Sequence, residues 1–342
     1  MRYVMTACVL VPIWIGCNTL ANLNAMPSGG GTSSTAVTIY GDGSAGVKTV
    51  SADENLTGRN HQYTDFTIAS GVTLTIQSGT VIRCTGSFIN NGSIVVRTGT
   101  EGGDRSGLSC SQGSDNSLGI TRAPEAGIST RQAGAGEVDT SGGSVLAGLG
   151  GDGISDVEGG NTLRIGVNAG GGGAAGISSG GGGGGGGLTV LAQTAVMNNG
   201  GITANGADGG DGAGGGGGGV VILASQTSVS NATGATITAD GGGGGGSTSS
   251  IGPGGGGGGG MVHLLAPSIT DNGTVTVQGG SAGANGLPNS VTCTVRAGGG
   301  GGGATAGGGG DGGGIVSGTP SSALGGSGGF SLQTLVDPTG LF

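Results

Sequence analysis

"SSGGGGGGGGLTVLA", residues 178–192, sets eight consecutive glycines directly against an apolar pentad, Leu188-Thr189-Val190-Leu191-Ala192. Fixing a backbone costs about 1–2 kcal/mol per residue, and glycine lies at the expensive end. In isolation such a run is a flexible linker. The pentad, in contrast, consists mostly of residues that seek burial. Whether the run is a linker or part of a stack decides between a low-complexity tail and an unusual fold.

The same junction recurs. Glycines 214–219 run into Val220-Val221-Ile222-Leu223-Ala224, and glycines 254–260 into Met261-Val262-His263-Leu264-Leu265-Ala266. Each apolar piece meets a polar turn and a second alternating piece, "MNNGGITANG", "SNATGATITADG" or "TDNGTVTVQGG". Another glycine-rich segment follows each time. The first strands are offset by 32 and 41 residues, so a module persists while loop lengths vary. That is the mark of a repeat architecture.

An ordered glycine run needs partners for its backbone N–H and C=O groups. Extended helices packed side by side, the polyglycine II arrangement, supply them. Their conformation is that of polyproline II, with three residues per turn and about 3.1 Å rise, so eight residues span about 25 Å. Runs at 170–173, 241–246, 298–303 and 307–310 provide further members for such a lattice. The competing reading is a β-solenoid from which flexible glycine loops project.

Residues 36–99 carry a different pattern. Apolar and polar residues alternate through Phe66, Ile68, Val72, Leu74 and Ile76, then resume around Ile82, Phe88 and Ile94. Period two, punctuated by Ser-Gly, Thr-Gly and Asn-Gly pairs, predicts short strands joined by tight turns. No useful length of the chain beyond the leader shows helical periodicity. The fold expected is therefore all-β: a β-helix or solenoid of short strands, stacked with polyglycine-II-like arrays. The organisation reads as a leader over 1–25, a Gly/Ser spacer over 26–35 and β-helix-like strands over 36–99. A polar Gly-rich connection over 100–179, Gly-run/strand repeats over 180–330 and a tail over 331–342 follow.

The "SGVTLTIQSGTVI" cadence resembles the coils of bacterial surface β-helices and filamentous adhesins. From about residue 165 to 330, run length and spacing resemble the Gly-rich receptor-binding adhesins of some tailed phages. The glycine-rich surface proteins of mycobacteria are similar in the same respect, and Gly-rich surface lipoproteins share the combination of leader and repeats. The phage resemblance implies a polyglycine-II sandwich with variable loops at one end. Two features depart from it, a leader peptide and strands more apolar than a pure glycine sandwich needs. A hybrid of β-coils and glycine arrays is the outcome expected.

Composition excludes several classes. Glycine supplies 94 of 342 residues, yet the chain has only eight prolines and no triplet period, which rules out collagen. With 8% charged residues and many Val, Ile and Thr it is unlike disordered chains, which are charged and poor in β-branched residues. A net charge of −9, a single lysine (Lys48) and 2% aromatics argue against nucleic acid, which needs basic clusters and stacking platforms. No lysine follows the glycine runs, so they are not phosphate loops, and no nucleotide is expected.

The first residues, "MRYVMTACVLVPIWIGCNTL", have the layout of an export signal: one basic residue, then an apolar stretch too short to span a bilayer. Ile15-Gly16-Cys17 resembles the lipobox of bacterial lipoproteins, which implies a lipid anchor on Cys17 and a place at the outer membrane or cell surface. Cleavage after Ala25, giving plain secretion, is the rival. Beyond the leader stand Cys84, Cys110 and Cys293. Cys84–Cys110 is the nearest pair, three unpaired thiols being the alternative.

Candidate chemistry is sparse. His61 has Tyr63 and Asp65 nearby, and His263 lies inside a strand; neither makes a metal site or a triad. Asp208, Asp211, Asp240, Asp271 and Asp311 sit among Gly and Asn, where turn chemistry outweighs calcium binding. Asn55, Asn91, Asn231 and Asn272 head sequons that turn asparagines explain. No cofactor is expected. The function expected is a non-enzymatic, exported surface or adhesive protein with variable loops. Its partners would be a cell surface, extracellular matrix or further copies of itself. Binding to ice or another crystal surface is the second expectation, with Thr189, Thr203, Thr236, Thr238, Thr274 and Thr276 as candidate rows. A β-helical polysaccharide lyase or hydrolase is the third, and the repeats lack the paired carboxylates it needs.

Overall fold

In the computed structural model, residues 39–105, 120–122, 170–174, 179–247, 252–286, 299–301, 303, 307–316 and 319–342 are described. Three parallel six-stranded sheets form the walls of a solenoid. Sheet I contains β1 (Lys48–Val50), β4 (Phe66–Ile68), β7 (Phe88–Asn90), β12 (Ala195–Asn198), β15 (Ser228–Asn231) and β18 (Ser268–Asp271), in that order. Sheet II contains β2 (Glu54–Leu56), β5 (Thr73–Ile76), β8 (Ser93–Val96), β13 (Gly201–Thr203), β16 (Thr236–Thr238) and β19 (Thr274–Thr276). Sheet III contains β3 (Asn60–Tyr63), β6 (Thr80–Cys84), β11 (Gly187–Ala192), β14 (Val220–Ser225), β17 (Met261–Leu265) and β22 (Phe330–Thr334). Two short antiparallel ribbons, β9 (Asp104–Arg105) with β10 (Ile120–Arg122) and β20 (Ile315–Val316) with β21 (Thr319–Pro320), complete the strands. No α-helix occurs among the described residues.

The chain passes from sheet III to sheet I to sheet II in each coil. Period-two alternation explains the walls: one set of side chains points into the lumen, the other outward. In-register pairing stacks like on like. Phe66, Phe88, Val196, Val229 and Ile269 form one lumen column, and Leu74, Ile94, Ile202, Ile237 and Val275 another. The Phe66 and Phe88 rings stack at 5.5 Å, a contact worth about 0.5–1.5 kcal/mol beyond the area it buries. Residues 48–96 and the glycine-run repeats are consecutive coils of this one solenoid, because β6, β7 and β8 pair directly with β11, β12 and β13.

An asparagine ladder closes the corner between sheets I and II. Asn90 Nδ2 donates to Asn198 Oδ1, Asn198 Nδ2 to Asn231 Oδ1 and Asn231 Nδ2 to Asp271 Oδ1, each at 2.8 Å. An amide both donates and accepts, so it can be repeated from coil to coil. Asp271 accepts only, and ends the ladder.

The glycine runs leave from one place. At the corner between sheets II and III the first two coils cross in three residues, helped by Gly58 (φ +93°) and Gly79 (φ +80°). The later coils depart there and return, over 97–186, 204–219, 239–260 and 277–329. Each excursion has an outgoing leg that continues sheet II and a returning leg that enters sheet III.

Backbone hydrogen bonds between legs have a period of three. In the returning leg 214–219, Gly216 and Gly219 donate to Ala207 and Ala204 of its own outgoing leg. Gly215 and Gly218 donate to Gly255 and Gly258 of the next returning leg. Gly214 and Gly217 donate to Ala174 and Gly171 of an outer layer. These bonds measure 2.7–2.9 Å. Three residues per turn, each bonding in a different direction, is the polyglycine II scheme, and it makes the runs an ordered array.

Purity of the runs follows from the spacing. A Cβ on Gly215, Gly216 or Gly218 would overlap the backbone oxygen of Gly242, Gly183 or Ala239. On outgoing legs one phase of the three faces outward, and side chains appear in it: Asn205, Asp208 and Asp211 in one leg, Gln278, Ser281 and Ala284 in another. At Gly243 and Gly246, in the same phase, an added Cβ meets nothing closer than 3.3 Å.

A second core covers the outer face of sheet III. Leu191, Val220, Ile222, Ala224, Met261 and Leu265 pack there with Tyr40, against Ile39, Val81, Leu341 and Phe342. Tyr40 Oη lies 3.1 Å from Thr339 Oγ1, within the 3-10 turn Pro338–Gly340. The segment 331–342, expected as a tail, thus supplies most of the last strand of sheet III as well as this cover. The glycines before it, 325–329, interrupted by Ser327, mask a fourth copy of the glycine-to-strand junction.

Candidate functional site

The outer face of sheet II offers the most regular surface. Its strands are only three or four residues long, and their inward residues are apolar except Glu54 at the first coil, so the outward residues stack into two columns. The first contains Thr73, Ser93, Gly201, Thr236 and Thr274, and the second, next to Asn55 of the first coil, Thr75, Val95, Thr203, Thr238 and Thr276. Seven threonines and one serine fill eight of the ten positions, Gly201 and Val95 the other two, and none is charged or aromatic. Thr236 and Thr274 are exposed, the other column residues half-buried apart from Val95 at 38% exposure.

Of the candidate threonines, Thr203, Thr236, Thr238, Thr274 and Thr276 come together here. Thr189 does not: it lies on the outer face of sheet III, paired with Val81 and Ile222. Thr73, Thr75 and Ser93 belong to the face and were not singled out. Their signal was the "VTLTI" alternation of residues 72–76, which matches "ATITA" and "TVTV" only once the coils are in register.

The face runs on into the outgoing legs. Over them lies a groove of about 680 Å³ whose lining includes Asp208, Asp211, Asp240, Gln278 and Ser281. The aspartates serve the backbone lattice. Asp208 Oδ1 accepts from the Gly243 amide at 2.7 Å, and Asp240 Oδ1 from the Gln278 amide at 2.6 Å. Asp240 Oδ2 accepts from Thr276 Oγ1 at 2.8 Å, and Asn205 Oδ1 from the Asp240 amide at 2.9 Å. Asn205, Asp208 and Asp240 thus bridge one leg to the next, and Asp208 and Asp240 do not sit in the turns expected, whereas Asp211 does begin the turn at 211–212. Asp271 ends the asparagine ladder, and Asp311 lies in the glycine-rich segment 307–314. Asn231, read as a turn residue, is a buried member of the ladder.

The remaining polar candidates are dispersed. His61 stacks on Tyr63 at 6.0 Å, and its Nε2 lies 3.2 Å from Gly58 O. Asp65 instead accepts from the Ser87 amide at 2.7 Å. His263 is 3% exposed on the outer face of sheet III, with Nε2 2.8 Å from Thr334 Oγ1. Burial away from water holds its pKa down to about 4, so it is neutral at pH 7. Cys84 is a free thiol in the lumen, pushed up to about 12 by burial and then by Asp65. Its candidate partner Cys110 lies outside the described residues, as do Cys17 and Cys293. No group of three His, Cys, Asp or Glu side chains among the described residues is placed to hold a metal ion.

Lys48 and Glu54 form an ion pair at 2.9 Å. They occupy the register positions of Phe66 and Leu74, so the pair sits over the lumen at the first coil. Inward-pointing charge at a sheet end discourages pairing with another chain.

The chain matches no protein family, no curated protein and no solved structure.

Proposed function

We propose that the protein is a non-enzymatic, exported scaffold of the bacterial cell surface that acts by adhesion. One observation carries this reading: every glycine excursion departs from the same corner, and its described glycine legs are locked into a backbone lattice. The far ends of the legs are thereby held at a distance from the solenoid. The excursions differ in length, 16 residues over 204–219 against 53 over 277–329, yet spring from the same corner. That arrangement suits presentation of loops that differ while the support does not.

Export and a lipid anchor on Cys17 belong to the same proposal and rest on the leader. Cells expressing the full chain should be retained on fibronectin- or mucin-coated glass better than cells expressing the leader fused to an inert β-solenoid. Equal retention on every coating would remove the adhesive reading. Fractionation of Cys17→Ser tests the anchor separately; an unchanged membrane fraction overturns it. A second reading, binding to an ordered crystalline surface, is favoured by the two threonine columns of sheet II.

A further inference from the structure

We infer that the outer face of sheet II binds ice, with the two Ser/Thr columns as the contact surface. The inference rests on the second reading above and names its ligand. Parallel in-register strands set neighbours in a column about 4.8 Å apart, and alternate residues along a strand about 6.6 Å apart. The result is a two-dimensional grid of hydroxyl and methyl groups, in which the Thr238 hydroxyl oxygen is buried away from the surface. Threonine has restricted χ1, so the grid loses little side-chain freedom on contact. Thr276 is held further, its hydroxyl donating to Asp240 at 2.8 Å.

A grid of this kind suits a ligand that is periodic, uncharged and made of hydrogen-bonding units of water size. Ice has all three properties, with oxygen repeats in its lattice planes close to the grid spacings. Hydroxyls can take lattice positions while methyl groups line the troughs between them. The charge distribution agrees: the chain carries a net −9, yet the ten column positions are neutral. Arg97 borders the first coils and is tied to Asn55 Oδ1 at 3.1 Å. Ionic minerals call for rows of charge, and crystalline polysaccharides for aromatic platforms, neither of which the columns contain.

The grid has two defects, Val95 and Gly201. A Cβ added at Gly201 meets only Thr236 Oγ1 at 3.5 Å and Ser93 Oγ at 3.7 Å, ordinary contacts with its own column neighbours. Gly201→Thr therefore completes the first column without strain.

Thermal hysteresis and inhibition of ice recrystallisation, measured on the purified full chain, test the proposal. The wild-type protein should show both. The double variant Thr236→Lys/Thr274→Lys, at two exposed positions, should lose most of each, while Gly201→Thr should raise them. Unchanged unfolding midpoints keep a folding defect from imitating the loss, and Thr49→Lys, outside the columns, should leave both activities intact. Absence of both activities in the wild type overturns the proposal, as does indifference to the double lysine variant. Sedimentation with calcite or crystalline chitin separates the layers: binding to these without ice activity refutes ice and leaves the ordered-surface reading standing.

Discussion

Gly218→Ala and Gly243→Ala make the same chemical change in neighbouring glycine legs and should have opposite effects. At Gly218 the new Cβ would overlap the Ala239 carbonyl oxygen and lie 2.5 Å from the Gly260 nitrogen. Those two atoms are the acceptor and donor of one hydrogen bond, 2.7 Å long. The methyl group therefore wedges open a backbone bond, and no side chain can rotate to make room. Overpacking costs about 1–3 kcal/mol, and leaving a buried pair unsatisfied roughly 1–3 more, so the expected loss is about 2–6 kcal/mol. At Gly243 the nearest atoms are Ser281 Oγ at 3.3 Å and Asp208 Oδ1 at 3.4 Å, both ends of side chains, and φ lies outside the left-handed region. There the restricted unfolded chain should contribute up to about 1 kcal/mol of stability. Urea unfolding at constant m-value reads the difference. Hydrogen exchange adds a local measure: amides of residues 214–219 should be protected in the wild type and released in Gly218→Ala. Equal effects from the two variants, or random-coil exchange across the wild-type run, would refute the lattice.

Asn198→Ala should cost about 2 kcal/mol or more in urea unfolding, since Asn231 Oδ1 loses its donor and Asn90 Nδ2 an acceptor in a buried ladder; a neutral result would mean water replaces the rung. His263 has a folded pKa near 4 against 6.5 when exposed, so between these values the unfolded state binds the extra proton. Stability should fall as pH drops from 6.5 towards 4, by about 3 kcal/mol at most, and this contribution to the slope should vanish in His263→Leu. A slope identical in both proteins would contradict that assignment. The Cys84 thiol should resist alkylation in the native protein at pH 8 and react once urea unfolds it, as mapped by mass spectrometry. Rapid native labelling would place it outside the lumen.

Much of the architecture was legible because two periods are written plainly. Alternation around Phe66, Leu74 and Ile94 announces strands with one buried face, and the repeated passage from glycine into Leu188, Val220 and Met261 announces stacked coils. Neither period says which strands share a sheet, and the sheet II columns depend on that. Thr189 and Thr203 look alike in sequence; only the second faces outward from sheet II. The ladder was hidden for a related reason. Asn90 and Asn198 each stand two residues before a glycine and Asn231 three, where asparagine ordinarily makes a turn, and a turn and a buried amide stack share the same local composition. Asp208 and Asp240 were read as turn residues because a three-residue period is hard to see when two of its phases are glycine and the third often is too.

The single corner from which the legs depart also governs which changes in length the chain tolerates. Three added residues advance a leg by one full turn, about 9 Å, and return each hydrogen-bonding direction to its place. One or two added residues rotate everything beyond them by a third or two thirds of a turn, aiming donors at the wrong neighbour and side chains into the lattice. Insertions matched in both legs of an excursion and made in triplets should therefore carry its end outward in steps, while the solenoid below keeps its register. The legs act as a ruler graduated in threes.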